Sequence, residues 1–291
     1  MSKHKVAIIT DSTAVLPHEL LDAHPIFVIP QNLHWGEESL LDNVDITPAQ
    51  FYRRLQTAKE LPTTSQPSAG TFLTFFQEVA EKAESIVAIL ISAELSGTVA
   101  SAHAARDMME GPVPIEIVDT RSASLGLALV VSAAAHALEV GKNHEEIAEL
   151  ARMLSPHLHT LFVVDTLEYL HKGGRIGGAK RLLGSVLALK PLLHLKEGRV
   201  EPLTSVRTKR KAVDRMLEVV RENAAGASAL HMAVAHAAAE EEADQLAQRV
   251  QEEFQPVELM RSDVSPVIGT HTGPGTLAVA FYDGGVLPAT G

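Results

Sequence analysis

Short apolar runs alternate with longer amphipathic runs through the first half of this 291-residue chain. Residues 85–92, SIVAILIS, are continuously apolar, as in a strand that is covered on both faces. Helical patterns lie on either side of it, TFLTFFQEVAEKA before and LSGTVASAHAARDMM after. IFVIPQNLHW, nearer the start, is interpreted as one further strand. Alternating strands and helices predict a mostly parallel α/β sheet in this half.

The second half has a different pattern. PLLHLKEGRVEPLTSV predicts two strands joined by a tight turn at Glu197 and Gly198, which makes an antiparallel hairpin. Helix and strand patterns then alternate again, and the sheet is expected to be mixed. We therefore predict two α/β domains, residues 1–157 and 158–291, with part of 48–80 packed on the second domain. A cleft between two such domains is a preferred ligand site.

Composition and charge limit the function classes. The chain has no cysteine, which excludes disulfides and thiolate zinc sites. A formal net charge of −11 argues against nucleic-acid binding through a basic surface. Residues 1–9 do not resemble a signal peptide, and the apolar stretch from Ser124 is too short and alanine-rich for a membrane span. We expect a cytoplasmic protein with at most transient membrane contact.

Hydroxyl side chains crowd the segment TTSQPS, residues 63–68, immediately before a helical pattern. Ser68 is well placed to cap that helix, and capping is the commoner role for such a residue. One cap needs only one hydroxyl, so Thr63, Thr64 and Ser65 are left without a role. Caps and turns explain most clusters of this kind, and a ligand role is the less common alternative.

A second polar segment, LSGT, follows the buried strand at 85–92. If a helix begins near Ser96, Gly97 and Thr98, its free N–H groups and a hydroxyl make an anion site. Gly97 would let a ligand approach the backbone closely. The alternative is that Ser96 merely caps the helix. A nucleophilic serine is disfavoured, because the G-x-S-x-G motif is absent.

Two glycine-rich segments are interpreted as loops, and each carries a basic side chain that suits an anion. Arg175 in HKGGRIGG suits a carboxylate or phosphate, or else bonds to neighbouring carbonyls and holds the loop. His271 in GTHTGPGT suits hydrogen bonding to an anion or acid–base work, or else a bond to a nearby carbonyl. No H-E-x-x-H or phosphate-loop motif occurs, so neither metal nor nucleotide is predicted. Together, these segments favour holding a small anion over cutting a bond.

The order of motifs along the chain resembles the DegV family. The motifs that carry the resemblance are ITDST, VDITPAQFYRRL, TTSQPS, LSGT, VDTRSASLGLAL, LEYLHKGGRIG, VRTKRKA and HTGPG, and they span Lys5 to Gly285. This resemblance implies a long-chain fatty acid held in a tunnel at the domain interface, with no other cofactor. FakB-like members of the family present the fatty-acid carboxylate to a separate kinase subunit, FakA. That subunit makes an acyl phosphate from ATP for phospholipid synthesis in bacteria.

The resemblance also implies residue roles. Matching the motifs assigns the carboxylate to Thr64, Ser96 and His271, with Arg175 adding positive charge. The supporting loop positions are Ser65, Gly97, Thr98 and Gly273, and the positions expected to dock the kinase are Arg207, Lys209 and Arg210. Charge runs are more often solvated helix surfaces than docking sites.

Two alternatives remain open beside a non-catalytic fatty-acid-binding subunit. One is a lipid sensor or transport protein without a kinase partner, which would share the same carboxylate residues. The other is an enzyme on a small carbonyl substrate, because DegV folds resemble part of dihydroxyacetone kinase, in which a histidine holds the substrate covalently. His271 or Ser96 would then be the reacting group.

Overall fold

The computed structural model describes residues 3–184 and 189–287. The strands are β1 (Ala7–Asp11), β2 (Ile26–Ile29), β3 (Asn32–Trp35), β4 (Glu38–Leu41), β5 (Thr63–Ser65), β6 (Ile86–Leu90), β7 (Ile115–Asp119), β8 (His159–Val163), β9 (Lys190–Lys196), β10 (Arg199–Val206), β11 (Leu230–His236), β12 (Glu258–Asp263) and β13 (Leu277–Asp283). The α-helices are α1 (His18–Ala23), α2 (Pro48–Thr57), α3 (Ala69–Ala80), α4 (Thr98–Met108), α5 (Leu125–Glu139), α6 (His144–Leu154), α7 (Glu168–Lys172), α8 (Lys209–Asn223), α9 (Glu240–Phe254) and α10 (Pro266–Thr272). Short 3₁₀ helices occupy Ser155–His157, Gly177–Leu182 and Gly284–Val286.

The first sheet is wholly parallel, in the order β2-β1-β6-β7. Its strands are apolar on both faces because helices cover both sides. In β1, Ile8 packs toward the middle of the molecule, whereas its neighbours Ala7 and Ile9 pack on the opposite face with α3 and α4. The predicted parallel sheet is confirmed.

The second sheet has the order β10-β9-β8-β13-β11-β12 and is mixed, as predicted. Its neighbouring strands are antiparallel except for β11 and β12, which are parallel. The predicted hairpin turn is present: Glu197 and Gly198 both have positive φ, 50° and 82°. Consecutive residues with positive φ form the tight turn that suits the twist of a two-stranded hairpin.

One helix joins the two sheets. The α5 helix contacts β1 and β6 of the first sheet and β8, β11 and β13 of the second. It is buried over nearly its whole circumference, which explains its run of leucine, valine and alanine. The core between the sheets is therefore continuous, while α8 and α9 cover the far face of the second sheet. A cavity beside α5 meets both sheets.

The prediction of one strand for IFVIPQNLHW is wrong. The structure has two strands, β2 in the parallel sheet and β3 in a small antiparallel sheet ordered β4-β3-β5. Pro30 lies at the break, and because it has no N–H it cannot continue a sheet ladder. Gln31 follows it and is buried, where its amide nitrogen donates to the Thr98 hydroxyl at 2.9 Å.

Two predicted loops are regular structure. Residues 63–65 of TTSQPS form β5, which pairs with β3. The segment around His271 is the helix α10, capped by Ser265, whose hydroxyl accepts from the Ile268 N–H at 3.3 Å. Ser68 caps α3 as predicted, since its hydroxyl accepts from the Thr71 N–H at 3.0 Å. Thr64 and His271 are thus held on a strand and a helix, which fix side chains better than loops do.

The α/β class with one parallel and one mixed sheet is confirmed, and the division at 157/158 stays a prediction. Contacts cross that division, because α10 contacts both α2 and β5. The Tyr52 hydroxyl, for example, donates to the Val264 carbonyl at 3.0 Å. Residues 1–2 and 288–291, the ends of the predicted domains, lie outside the described residues.

Candidate functional site

A mostly apolar cavity lies between the two sheets, and we call it the inner cavity. It encloses about 910 Å³ of atom-free space, including the part open to solvent. Its apolar side chains include Ile91 after β6, Leu125 at the start of α5, Phe162 and Leu195 from the second sheet, and Ile268 from α10. A cavity with this lining suits an apolar ligand.

The four residues predicted to bind a carboxylate all line the inner cavity. They arrive from four separate elements: Thr64 from β5, Ser96 from the loop after β6, Arg175 from the loop after α7 and His271 from α10. His271 Nε2 and the Thr64 hydroxyl are 2.8 Å apart. Two hydroxyls, an imidazole and a guanidinium thus line one cavity whose surface is mostly apolar.

The protonation of His271 follows from its surroundings. Burial lowers its pKa to about 4, and the nearby positive charge of Arg175 acts in the same direction. The ring is therefore neutral at pH 7. Its Nδ1 is buried and has no hydrogen-bond partner among the described residues. Because a buried N–H without an acceptor is rarer than an unpaired acceptor, the tautomer with Nε2–H is favoured. Nε2 then donates to Thr64, which leaves the Thr64 hydroxyl hydrogen free to reach a ligand.

Arg175 has one of the two roles that the sequence left open, because it bonds to neighbouring carbonyls and holds its loop. Its Nε donates to the Leu95 carbonyl at 3.1 Å, and its Nη1 donates to the Gly173 carbonyl at 2.9 Å. These bonds tie its own loop to the loop that carries Ser96. The same side chain lines the inner cavity, so its position is fixed by carbonyls while its charge acts on the cavity.

The supporting positions are less uniform. Ser65 lines the inner cavity, and its hydroxyl lies 2.8 Å from His34 Nε2. Thr98 is buried behind Ser96, with 2.8 Å between the two hydroxyls, so it orients Ser96. Gly97 makes room for a protein side chain and not for a ligand, because a Cβ there would lie 2.8 Å from Gln66 Nε2.

Gly273 ends α10 with a φ of +76°, a value that glycine adopts without strain. A Cβ at this position would overlap the ring of Tyr169. Gly273 is thus close to α7 and does not line the inner cavity. Gly273 therefore affects His271 by ending α10, the helix that carries His271.

The basic run lies at the start of α8. Arg207 and Arg210 are exposed, whereas Lys209 is partly buried and its Nζ is 2.5 Å from a carboxylate oxygen of Glu242. Thr208 caps the helix. These residues do not line the inner cavity, so docking of a kinase there stays a prediction.

A second pocket, which we call the outer pocket, was not predicted. Thr64, Arg175 and His271 line both it and the inner cavity, and we call these three residues the partition. The outer pocket adds Tyr169, Lys172 and Gly173, which are absent from the inner cavity lining, and it holds about 770 Å³ of atom-free space, part of it open to solvent. Its second cation, Lys172, lies three residues before Arg175 in the glycine-rich motif HKGGRIGG. This pair of cations is the sequence feature that could have indicated the outer pocket.

Two buried carboxylates were also missed as site residues. Asp42 accepts from the Ser12 hydroxyl at 2.6 Å and from the Val267 N–H in the first turn of α10 at 3.2 Å. Burial raises its pKa to about 7. Asp11 accepts from the Ile91 N–H at 2.8 Å, and burial raises its pKa as well. Asp42 fixes the end of α10 opposite His271.

The described residues contain no helix with the length and hydropathy that crossing a membrane requires. Within residues 3–184 and 189–287, no cluster of three histidine or acidic side chains has an arrangement that holds a metal ion.

Comparison with known proteins places this fold in a family. The family model described as "Uncharacterised protein, DegV family" matches residues 5–284. The chain belongs to the DegV family. A DegV domain-containing protein of Streptomyces coelicolor is 42% identical over 282 residues, which cover 96% of this chain and 98% of that protein. Protein DegV of Bacillus subtilis is 32% identical and covers 95% of this chain and 98% of its own length.

Solved DegV family structures have the same fold along nearly the whole chain. A fatty-acid-binding DegV family protein of Thermus thermophilus superposes with a TM-score of 0.90 at 35% identity, covering 96% of this chain and 99% of that one. DegV of Bacillus subtilis, described as a fatty acid binding protein, superposes with a TM-score of 0.88 at 31% identity, covering 97% of this chain and 100% of its own.

Proposed function

We propose that this DegV family protein binds a long-chain fatty acid and presents its carboxylate to a separate kinase subunit. The tail lies in the inner cavity, and the carboxylate lies at Thr64, Ser96, Arg175 and His271. The observation that carries the proposal is the lining of the inner cavity, whose surface is mostly apolar and which includes all four of these donors. Fatty-acid binding by DegV proteins at 35% and 31% identity supports it.

The tail and the carboxylate have different energetic roles. Each buried CH₂ contributes about 0.8 kcal/mol, so a sixteen-carbon tail gives on the order of 10 kcal/mol before the costs of binding. A carboxylate is costly to bury unless several donors meet it. The tail therefore dominates the affinity, and the carboxylate residues fix which end of the lipid is reached by the partner.

The protein is a carrier in this proposal, and the kinase supplies the chemistry. A lowered pKa keeps His271 neutral at pH 7, and it acts as a hydrogen-bonding group at the carboxylate. The basic residues Arg207, Lys209 and Arg210 at the start of α8 are the proposed contact for the kinase. Charge complementarity of this kind steers association and depends on ionic strength.

The test is reconstitution with a fatty acid kinase catalytic subunit. Protein loaded with a long-chain fatty acid is mixed with the kinase and ATP, and acyl phosphate is trapped with hydroxylamine. We expect acyl hydroxamate only when protein, kinase and fatty acid are all present. A loaded protein that yields none, with a kinase that is active on its own binding subunit, would instead favour a lipid sensor or transport protein.

A further inference from the structure

The partition has a different environment on each of its two sides. Toward the inner cavity, the neighbouring side chains are mostly apolar. Toward the outer pocket, the neighbours include the ammonium group of Lys172 and the polar groups of Thr63 and Thr270. We propose that the outer pocket is a phosphate subsite that takes the phosphoryl group of a long-chain acyl phosphate whose tail lies in the inner cavity. This inference rests on the proposed function, because it needs a lipid carboxylate at the partition.

The charge of the outer pocket favours a dianion. Its lining contains two cations, Lys172 and Arg175, and among the described residues no carboxylate lines it. The chain as a whole has a formal net charge of −11, so a pocket with only cationic charges contrasts with the average surface. A phosphate group carries a charge of about −1.5 to −2 at neutral pH and binds lysine and arginine strongly.

The position of the outer pocket also fits the chemistry. The phosphoryl group of an acyl phosphate is bonded directly to a carboxylate oxygen, so it must lie next to the partition. The apolar part of the inner cavity cannot receive it, since burying a dianion among apolar side chains is very costly. The outer pocket meets the same three side chains from the other side and is open to solvent.

The phosphoryl transfer itself needs no proton transfer to or from this protein. A carboxylate oxygen forms a bond to the γ-phosphorus of ATP held by the kinase. The bond from that phosphorus to the β,γ-bridging oxygen breaks, and its electron pair leaves with ADP. The neutral imidazole of His271 suits this step, because the carboxylate must stay ionised to attack. The transferred group then lies in the outer pocket.

Lys172 is available for this role. Its Nζ is 2.6 Å from a carboxylate oxygen of Glu168 one helical turn earlier, and its side chain is 57% exposed. An exposed pair of this kind is weak, so a phosphate competes for the ammonium group with little loss. Glu168 does not line the outer pocket.

The test compares two ligands with the same tail on delipidated protein. One is a long-chain fatty acid, and the other is a 2-oxoalkyl phosphonate, a stable analogue of the acyl phosphate. Affinities are measured by calorimetry for the wild type, for Lys172→Gln and for a matched control, Lys142→Gln. Lys142 also pairs with a glutamate four residues away, Glu146, on an exposed surface, but at another helix.

We expect Lys172→Gln to weaken phosphonate binding roughly threefold to tenfold, as for loss of a charge-assisted contact at a partly exposed site, and to leave fatty-acid affinity within about twofold. Lys142→Gln should change neither. Glu168→Gln frees Lys172 and should strengthen phosphonate binding. Inorganic phosphate alone should bind far more weakly than the phosphonate.

Four results would overturn the subsite. They are an equal loss for both ligands in Lys172→Gln, no loss for either, an equal effect of the Lys142 control, and inorganic phosphate that binds as tightly as the phosphonate. Failure of the proposed function has a different signature, since the wild type would then bind neither lipid. That result would remove the subsite together with the carrier role.

Discussion

The inner cavity and the outer pocket share the partition of Thr64, Arg175 and His271, yet they are lined differently. The surface of the inner cavity is mostly apolar, whereas the outer pocket has a second cation, Lys172, in addition to the shared Arg175. The difference separates two tasks that one ligand needs. In the proposed function, apolar burial of the tail supplies affinity in the inner cavity. The cations of the outer pocket bind the phosphoryl group that is added to the carboxylate. The partition belongs to both, so its substitutions should affect both.

The largest effect is expected from filling the inner cavity. Ala278 on β13 lines it, beside its strand partner Phe162 on β8. Ala278→Trp should occupy the space of the tail and lower fatty-acid affinity on the order of a thousandfold or more, since several buried CH₂ groups are lost. Ala278→Ser is the control that keeps the volume. Equal affinity of the tryptophan variant and the wild type in a fluorescent fatty-acid displacement assay would place the tail elsewhere.

Removing hydroxyls at the partition should have the next largest effect. The double variant Thr64→Ala with Ser96→Ala loses two donors to the carboxylate, and we expect about a hundredfold loss of fatty-acid affinity. The same segment offers a control, because Ser68 caps α3. Ser68→Ala should cost about 1 kcal/mol of the free energy of unfolding and leave affinity unchanged. Unchanged lipid retention in the double variant would contradict the assignment of the carboxylate.

A pH experiment tests how Asp42 holds α10, the helix that carries His271 of the partition. Asp42 binds the first turn of α10, and its pKa of about 7 in the folded protein exceeds the unfolded value of 3.8. The folded protein thus keeps a proton that the unfolded chain has lost, and the stability from this group falls as pH rises from about 4 to 7. The free energy of unfolding of Asp42→Asn minus that of the wild type should therefore increase by about 2 to 3 kcal/mol from pH 5 to pH 8.

Subtracting the free energy of unfolding of the wild type removes the contributions of the other titrating groups. His271 acts with the opposite sign, since its lowered pKa of about 4 makes stability rise with pH between that value and 6.5. Denaturant unfolding at several pH values measures the free energy of unfolding of Asp42→Asn and of the wild type. A difference between Asp42→Asn and wild type that does not change with pH would show that Asp42 is ionised in both states.

The smallest effect is expected far from both cavities. Arg207→Glu reverses an exposed charge at the start of α8 and should raise the kinase's KM for the loaded protein a few-fold at low salt. The effect should fade at high salt, and fatty-acid affinity should stay the same. Lys5→Glu, at another exposed position, is the control. Identical KM values for the Arg207 variant and wild type would remove this surface from the docking site.

The sequence predicted most of the fold because its signals are local. The apolar run of β6 and the hairpin turn at Glu197 and Gly198 are each visible within a few residues. The β5 strand was missed because three residues have no periodicity, and its pairing with β3 exists only in the folded chain. The α10 helix was missed because its seven residues include Gly269, although a serine cap and a proline mark its start.

The candidate site was predictable only in part, because it joins distant segments. Thr64 and His271 are 207 residues apart in sequence, and only the family resemblance brought them together before the structure did. Asp42 and Val267 are 225 residues apart, and no motif signals their hydrogen bond. The outer pocket likewise depends on how α10 packs against both α7 and β5, which a pattern of residue types does not contain.

Mass spectrometry of the native protein tests the central claim most directly. The protein is purified without detergent from cells supplied with fatty acids, and solvent extracts of wild type and Ala278→Trp are compared. We predict about one equivalent of a fatty acid of roughly fourteen to eighteen carbons in the wild type and almost none in the variant. A polar phosphorylated ligand, or no lipid in the wild type, would contradict a fatty-acid tail in the inner cavity.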